Sequence, residues 1–238
     1  MRHLDLRVVT YNIHRARGMD RRVRPDRIAD VLSAINADII ALQEVIGPGP
    51  SGPGHAEGIG AALGMGWVMA AARELRHHAF GNVVLSRFPI RDHAQLDLSW
   101  RTAEPRNCQR VDIDLGPGRL QLFNVHLGTA LLERRAQTTR LAQWVADRRG
   151  GPRIVLGDFN EWARRFTPDP LSTQLQSVDL YPFTARRRTY PGFFPLLHLD
   201  HLYFGGAVTI RHLSLPRTRL AKLASDHLPL VADVRVSF

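Results

Sequence analysis

Eight polar residues, Asn12, Glu44, His126, Asp158, Asn160, Asp200, Asp226 and His227, stand at or just beyond the ends of apolar runs that read as β-strands. Strand ends beside loops are where a rigid scaffold presents reactive groups. Taken singly, each has an ordinary explanation. Asn12 could form a turn, Glu44 and Asp226 could be solvated carboxylates, Asp200 could pair with an arginine, and His126 could be a hydrogen-bonded core histidine. Their shared placement is what calls for a chemical reading. Carboxylate and amide oxygens without a cysteine cluster suit a hard cation such as Mg2+ or Mn2+ rather than structural zinc. Imidazoles beside them can donate hydrogen bonds or transfer protons near neutral pH.

The elements that must carry these residues follow from hydrophobic periodicity. Leu6, Val8 and Thr10 alternate with Arg7, Val9 and Tyr11, which predicts a strand ending near Asn12. Pro25 opens a helix in which Ile28, Val31, Leu32 and Ile35 share one stripe. The run 39–42 is continuously apolar, as in a strand covered on both faces, and ends at Gln43 and Glu44. GPGPSGPG, residues 47–54, predicts an exposed loop before a short helix over 57–63. Strands are predicted over 67–70, 82–85, 108–115 and 120–127, and turn residues such as 116–118 point to hairpins and antiparallel pairing. A helix over 131–149 precedes a buried strand, 154–156, that ends in Gly157 and Asp158. Loops are predicted at 167–170 and 190–195, and final strands at 199–204 and 230–236. Helices outside and mainly antiparallel strands inside predict an α/β domain layered α/β/β/α over residues 1–238.

Composition narrows the partners. A formal net charge of +10 would attract a polyanion, whether nucleic acid, an acidic lipid surface or a small phosphorylated metabolite. All 32 basic residues except Lys222 are arginine in a chain rich in Ala, Gly and Pro, so GC-rich coding explains part of that charge. The single cysteine, Cys108, cannot form an internal disulfide. With no apolar leader and no stretch long enough to span a bilayer, a cytoplasmic monomer is the default expectation.

Seven segments, VVTYNIH, IIALQEV, GNVVLSRFPI, FNVHLG, IVLGDFNEW, LDHLYF and SDHLPLVADV, resemble in order the motifs of the endonuclease/exonuclease/phosphatase (DNase I-like) superfamily. GDFN followed by SDH is the specific part, and the resemblance spans Leu6 to Val234. It implies a four-layer sandwich of two mixed, mainly antiparallel sheets flanked by helices, and a metal-dependent hydrolase of phosphoesters. It also implies roles. Glu44 is similar to a carboxylate metal ligand, Asn12 to the amide that orients metal or phosphate, and Asp226 to a further metal-side carboxylate. Asp158 resembles the residue that positions or deprotonates the attacking water, and Asn160 the amide that binds a phosphoryl oxygen. His227 resembles the histidine that meets the scissile phosphate, Asp200 the acid behind it, and His126 a second phosphate-binding histidine. Such a set answers a chemical need, because an anionic phosphodiester repels hydroxide until a cation neutralises it.

Asn82, opening GNVVLSR, and Arg106, in EPRNCQR, are candidate substrate contacts. Arg15 and Arg17, following YNIH, are expected near the cleft mouth, with an ordinary basic loop the equal alternative. The run Arg186, Arg187, Arg188 reads as a solvated face, and His77 and His78 as loop residues without metal-site spacing. Abasic-site endonucleases read QETK where this chain has QEV, and carry tyrosine at the place of His126. Inositol phosphatases read GDLN and CDRI where it has GDFNEW and LDHLYF. The motifs look closest to small bacterial members. Nucleic-acid phosphodiester hydrolysis is the leading expectation. The alternatives are a phospholipid or sphingomyelin-type phosphodiesterase, a small-phosphoester phosphatase, and a catalytically silent module that binds a phosphoryl ligand. A lipid enzyme would need an exposed apolar rim, for which Trp162, Phe166 and YPGFFPLL are candidates, although such aromatics more often belong to a core.

Overall fold

The computed structural model describes residues 2–147, 150–162, 169–178, 180, 182–184 and 187–238. One six-stranded sheet contains β1 (His3–Asn12), β2 (Ile39–Ile46), β3 (Gly66–Leu75), β4 (His78–Ser86), β11 (Val208–Ser214) and β12 (Leu230–Ser237). The other contains β5 (Ile90–Asp97), β6 (Asn107–Asp114), β7 (Arg119–His126), β8 (Arg153–Asp158), β9 (Gln176–Ser177) and β10 (Asp200–Gly205). Their orders are β11-β12-β1-β2-β4-β3 and β5-β6-β7-β8-β10-β9. At the centre of each lies one parallel pair, β1 with β2 and β7 with β8, among antiparallel neighbours. Parallel strands need a crossover, and α1 (Pro25–Ile35) and α3 (Leu131–Ala146) supply the two.

Alternation along the strands sorts side chains into layers. Leu6 and Val8 of β1 point into an inter-sheet core with Ile39, Leu120, Leu122, Ile154, Leu156 and Val234. Val9 and Tyr11 point the other way, against Ile28, Val31, Leu32 and Ile35 of α1, Ile59 of α2 (Gly54–Leu63), and Ala221 and Ala224 of α4 (Arg219–Ala224). Phe123 and Val125 of β7 meet Leu141 and Val145 of α3 on the outer face of the second sheet. Three apolar cores thus separate four layers, and the α/β/β/α sandwich with mixed, mainly antiparallel sheets is the fold.

The inter-sheet layer changes character along its length. Leu6 and Val8 give way to Thr10 and Asn12, Leu120 and Leu122 to Asn124 and His126, and Ile154 and Leu156 to Asp158. Between the apolar floor and the charged end lies a buried band of amides. Asn124 donates to Leu42 O and Val83 O at 3.0 and 3.1 Å and accepts from Gln43 Nε2 at 2.7 Å. Asn82 donates to Asn107 Oδ1 and Asn124 O at 3.0 and 3.2 Å, while Gln109 reaches Val68 O at 2.9 Å. These bonds cross from one sheet to the other and use the donors that burial would otherwise leave unmet.

Several boundaries differ from the sequence expectation. β2 does not stop at Gln43 and Glu44 but runs to Ile46 through a bulge between Leu42 and Val45, where Glu44 adopts φ 56°. The helix expected at 57–63 begins at Gly54. β5 and β11 went unread, β5 because an edge strand with one wet face, IRDHAQLD, carries too few apolar residues to register. The last two residues of the helix expected over 131–149 lie outside the described residues, as do Phe166, Arg186 and residues 167–168.

Candidate functional site

Topology gathers the polar strand ends. The parallel strands β1 and β2, and β7 and β8, finish at one end of the sandwich, and β10 and β12, antiparallel to their neighbours, begin there. His126, Asp158 and Asp200 are register partners in one row across β7, β8 and β10. Asn12 closes the inward row of β1, and its amide crosses between sheets to Asp158 Oδ2 at 2.9 Å while also reaching Glu44 Oε1 at 3.3 Å. The bulge turns Glu44 towards this point, a use of positive-φ backbone common at functional sites. Gly157 lets β8 approach β7, because at its φ of 147° a Cβ would lie 2.0 Å from Val125 O.

Two imidazoles lie beside Asp158 Oδ2. His227 Nδ1 lies 2.9 Å from Asp200 Oδ2, and its Nε2 lies 3.5 Å from Asp158 Oδ2. His126 Nε2 is 3.7 Å from the same oxygen, while its Nδ1 is 3.2 Å from Arg106 Nη1. A guanidinium can only donate, so Nδ1 of His126 accepts and Nε2 carries the proton. The two rings therefore differ in charge. Burial, together with the charges of Arg106 and His227, holds His126 well below its usual value, so it is neutral at pH 7. Burial would also lower His227, but the carboxylates of Asp200 and Asp158 and the Asp200 hydrogen bond raise it to about 10. Burial raises Asp158 to about 6, with Asp200 adding to the rise and His227 and Asn12 opposing it.

Asn160, at φ 49°, donates its backbone N–H to Asp158 Oδ1 at 2.9 Å and its side-chain amide to Leu127 O at 2.8 Å. Asp226 Oδ2 stands 3.5 Å from His14 Nδ1, and Arg15 Nε 3.9 Å from Glu44 Oε2. Arg106 also pairs with Glu104 at 2.8 Å. Asn12, Glu44, His126, Asp158, Asn160, Asp200, Asp226, His227 and Arg106 are thus linked at one end of the fold. Asn82 is elsewhere. It is buried in the middle of β4, and its amide donors are spent on Asn107 and Asn124 between the sheets.

Two neighbours were given no catalytic role in the sequence reading. Ser225 Oγ donates to Asn12 O at 2.8 Å and is within 3.3 Å of Asp226 Oδ1 and of the His227 N–H, pinning the β12 approach to the end of β1. Tyr190 packs its ring 5.0 Å from that of His227. Ser225 stands in the SDH motif and could have been found there, whereas Tyr190 comes from a loop with no periodic signal.

The residues fit a divalent cation. Glu44, Asp158 and Asp226 bring three carboxylates to Asn12, and Asp200 adds a fourth behind His227. Ligand atoms of Asp158, Asp200 and His227 lie within 4.8 Å of one another. Hard oxygen donors in excess of the neighbouring cations suit such an ion.

Comparison with known proteins places the chain and its fold. The model of the Endonuclease/Exonuclease/phosphatase family matches residues 9–227. The chain is 33% identical to the uncharacterized protein YbhP of Escherichia coli (strain K12), covering 98% of this chain and 97% of that one. Among solved structures it is similar to an endonuclease/exonuclease/phosphatase family protein of Bacteroides thetaiotaomicron (TM-score 0.82, 17% identity, all of both chains). It is also similar to a mannosyl-6-phosphatase of that species (TM-score 0.80, 19% identity, 96% of this chain and 99% of that one). A third likeness is to a humanized TDP2 of D. rerio (TM-score 0.75, 17% identity, 97% of this chain and 98% of that one).

Proposed function

The chain belongs to the endonuclease/exonuclease/phosphatase family, and on that premise we propose that it is a divalent-cation-dependent phosphodiesterase. The observation that carries this is the placement of two histidines beside the buried Asp158, His227 backed by the Asp200 carboxylate and His126 by the Arg106 guanidinium. Glu44 with Asn12, and Asp226 beside them, would hold Mg2+ or Mn2+. Asp200 and His227 are left out of that ligand set because they are engaged with each other at 2.9 Å. Bound there, the cation supplies charge neutralisation and Lewis acidity to an anionic phosphoester.

The protein's own groups do the rest. His227, held cationic by Asp200, donates to a phosphoryl oxygen and steadies the negative charge that builds there. His126, locked as the Nε2–H tautomer by Arg106, donates without adding charge. Asp158, with its basicity raised by burial, orients or deprotonates the attacking water. Asn160, held by Leu127, offers an amide to the phosphoryl group. Arg106 is a positioning residue for His126. Asn82 acts through the sheet-to-sheet amide band rather than on substrate.

Nucleic acid suits the +10 charge and is the first substrate reading. A second, a phospholipid phosphodiester, gains support from Trp162, Phe193 and Phe194, which are exposed rather than in a core. The test is hydrolysis with Mg2+ or Mn2+ across single- and double-stranded nucleic acid, phospholipid, nucleotide and sugar-phosphate substrates. Cation-dependent cleavage of diesters well above monoesters is expected, and cleavage of monoesters alone would refute it.

A further inference from the structure

Single exposed apolar side chains are ordinary, but a contiguous group beside a reactive cleft asks for a partner. Phe193 and Phe194 are each 69% exposed and Trp162 is 59% exposed, with Leu196 and Leu197 also open to solvent. A tight turn presents all of them but Trp162. Tyr190 and Leu197 form a bridge, and the N–H groups of Leu196 and Leu197 both donate to Tyr190 O at 2.7 Å. Pro191 and Pro195 bracket the tip and stiffen it.

That turn is fastened to the site. Gly192 N–H donates to Asp226 O at 2.5 Å, Leu228 N–H donates to Thr189 O at 2.9 Å, and Tyr190 lies against His227. A side chain at Gly192 would meet Ser225 O at 2.8 Å, so the close approach requires glycine. Trp162 follows Asn160 by two residues. Between it and Leu196 and Leu197 runs a groove of about 320 Å³ edged by Arg187, Arg188 and Glu161. Among the described residues the two phenylalanines belong to none of the three cores.

We propose that this turn, with Trp162, is an interfacial rim that inserts into an anionic phospholipid surface, so that the diester cleaved at the site is that of a lipid headgroup. The proposal rests on the phosphodiesterase reading and takes up its second substrate class, the phospholipid diester, in place of nucleic acid. Charge complementarity favours this occupant. Arg187 and Arg188 flank the rim, Glu161 beside them faces Arg134 at 3.8 Å, and on the Glu44 side Arg15, Arg17, Arg21 and Arg76 line a cavity of about 630 Å³ with no carboxylate among its described wall residues. No helix among the described residues is long and apolar enough to cross a bilayer, so the engagement is with its surface. Leu196, Leu197 and the prolines have no aromatic face, which suits acyl chains better than stacked bases. The chemistry balances without another reactant. Water forms the new bond to phosphorus, the headgroup or glyceride oxygen leaves, and that oxygen takes up the proton.

The test compares the wild-type chain with Phe193→Ser/Phe194→Ser. Cosedimentation with vesicles of phosphatidylglycerol in phosphatidylcholine should weaken about tenfold or more in the variant. Cleavage of the vesicle lipid should fall with it, while hydrolysis of soluble bis(p-nitrophenyl) phosphate stays unchanged. Phe194→Trp should show a blue-shifted emission on adding vesicles. Absent vesicle binding by the wild type, or equal binding by both proteins, overturns the rim. So does loss of oligothymidylate binding in the variant without any vesicle binding, which would make the tip a base-stacking platform. A wild-type chain that fails to cleave the soluble diester sinks the phosphodiesterase reading instead, with vesicle partitioning still deciding the rim.

Discussion

Asn124→Ala removes the centre of the amide band. In the wild type its side chain donates to Leu42 O and Val83 O at 3.0 and 3.1 Å and accepts from Gln43 Nε2 at 2.7 Å, all in a region closed to water. Truncation leaves those two carbonyls short of a donor, and Gln43 keeps only Thr10 Oγ1 at 3.0 Å and Ala41 O at 3.3 Å. Each buried group stripped of a partner costs about 1–3 kcal/mol, so the two carbonyls together cost about 2–6 kcal/mol, with the third interaction only weakened. That is a large part of the stability of an ordinary domain. Urea unfolding of the wild type and variant measures it. In a double-mutant cycle with Gln43→Ala, the pair should couple by about 0.5–3 kcal/mol. Because Leu42 precedes the Glu44 bulge and Asn124 lies two residues before His126, activity should fall along with stability. A loss below about 1 kcal/mol, or strict additivity with Gln43→Ala, would refute the view that this band sets the spacing of the two sheets at the site.

Three further outcomes follow from the geometry. Asp200→Asn should lower the His227 pKa by about 1–3. Since the folded value of about 10 lies above the ordinary 6.5, the stabilisation is complete below pH 6.5 and is lost as pH rises through 10. The stability gap between wild type and variant should therefore narrow over that range, and histidine NMR with urea unfolding would expose a constant gap as a contradiction. Glu44→Gln should weaken Mn2+ binding about tenfold or more by calorimetry, and unchanged affinity would remove Glu44 from the ligand set. Gly157→Ala should cost about 3 kcal/mol or more in urea, since its Cβ would stand 2.0 Å from Val125 O, and a neutral result would mean that β8 can move away from β7.

Local pattern carried the fold a long way. The stripe of Ile28, Val31, Leu32 and Ile35 and the alternation of Leu6, Val8 and Thr10 are physical consequences of facing a core, and they lie where periodicity places them. The polar strand ends were legible for the same reason, because a residue such as Asp158 interrupts an apolar row only where the row leaves the core. Less visible were features that depend on distant partners. The Glu44 bulge is set by pairing with β4, and β5 is stabilised by β6 more than by its own apolar content. Asn82 looked like a substrate contact because its role, bonding Asn107 and Asn124 across the sheets, exists only once both sheets are assembled. Arg106 could be read as a phosphate contact, yet its place beside His126 Nδ1 depends on how the start of β6 meets the end of β7. The expectation that Trp162 and the FFPLL segment belong to a core was reversed, since periodicity cannot tell an apolar loop that is covered from one that protrudes.

Turnover of bis(p-nitrophenyl) phosphate by the wild-type chain and Asp158→Asn, each titrated with Mg2+ after chelation, tests the catalytic assignment most directly. Asparagine keeps the shape of Asp158 but removes the charge that lies beside His126 and His227. A wild-type rate restored by the cation and lower by about a thousandfold or more in the variant is the predicted result. A rate indifferent to chelation, or equal in the two proteins, would contradict it.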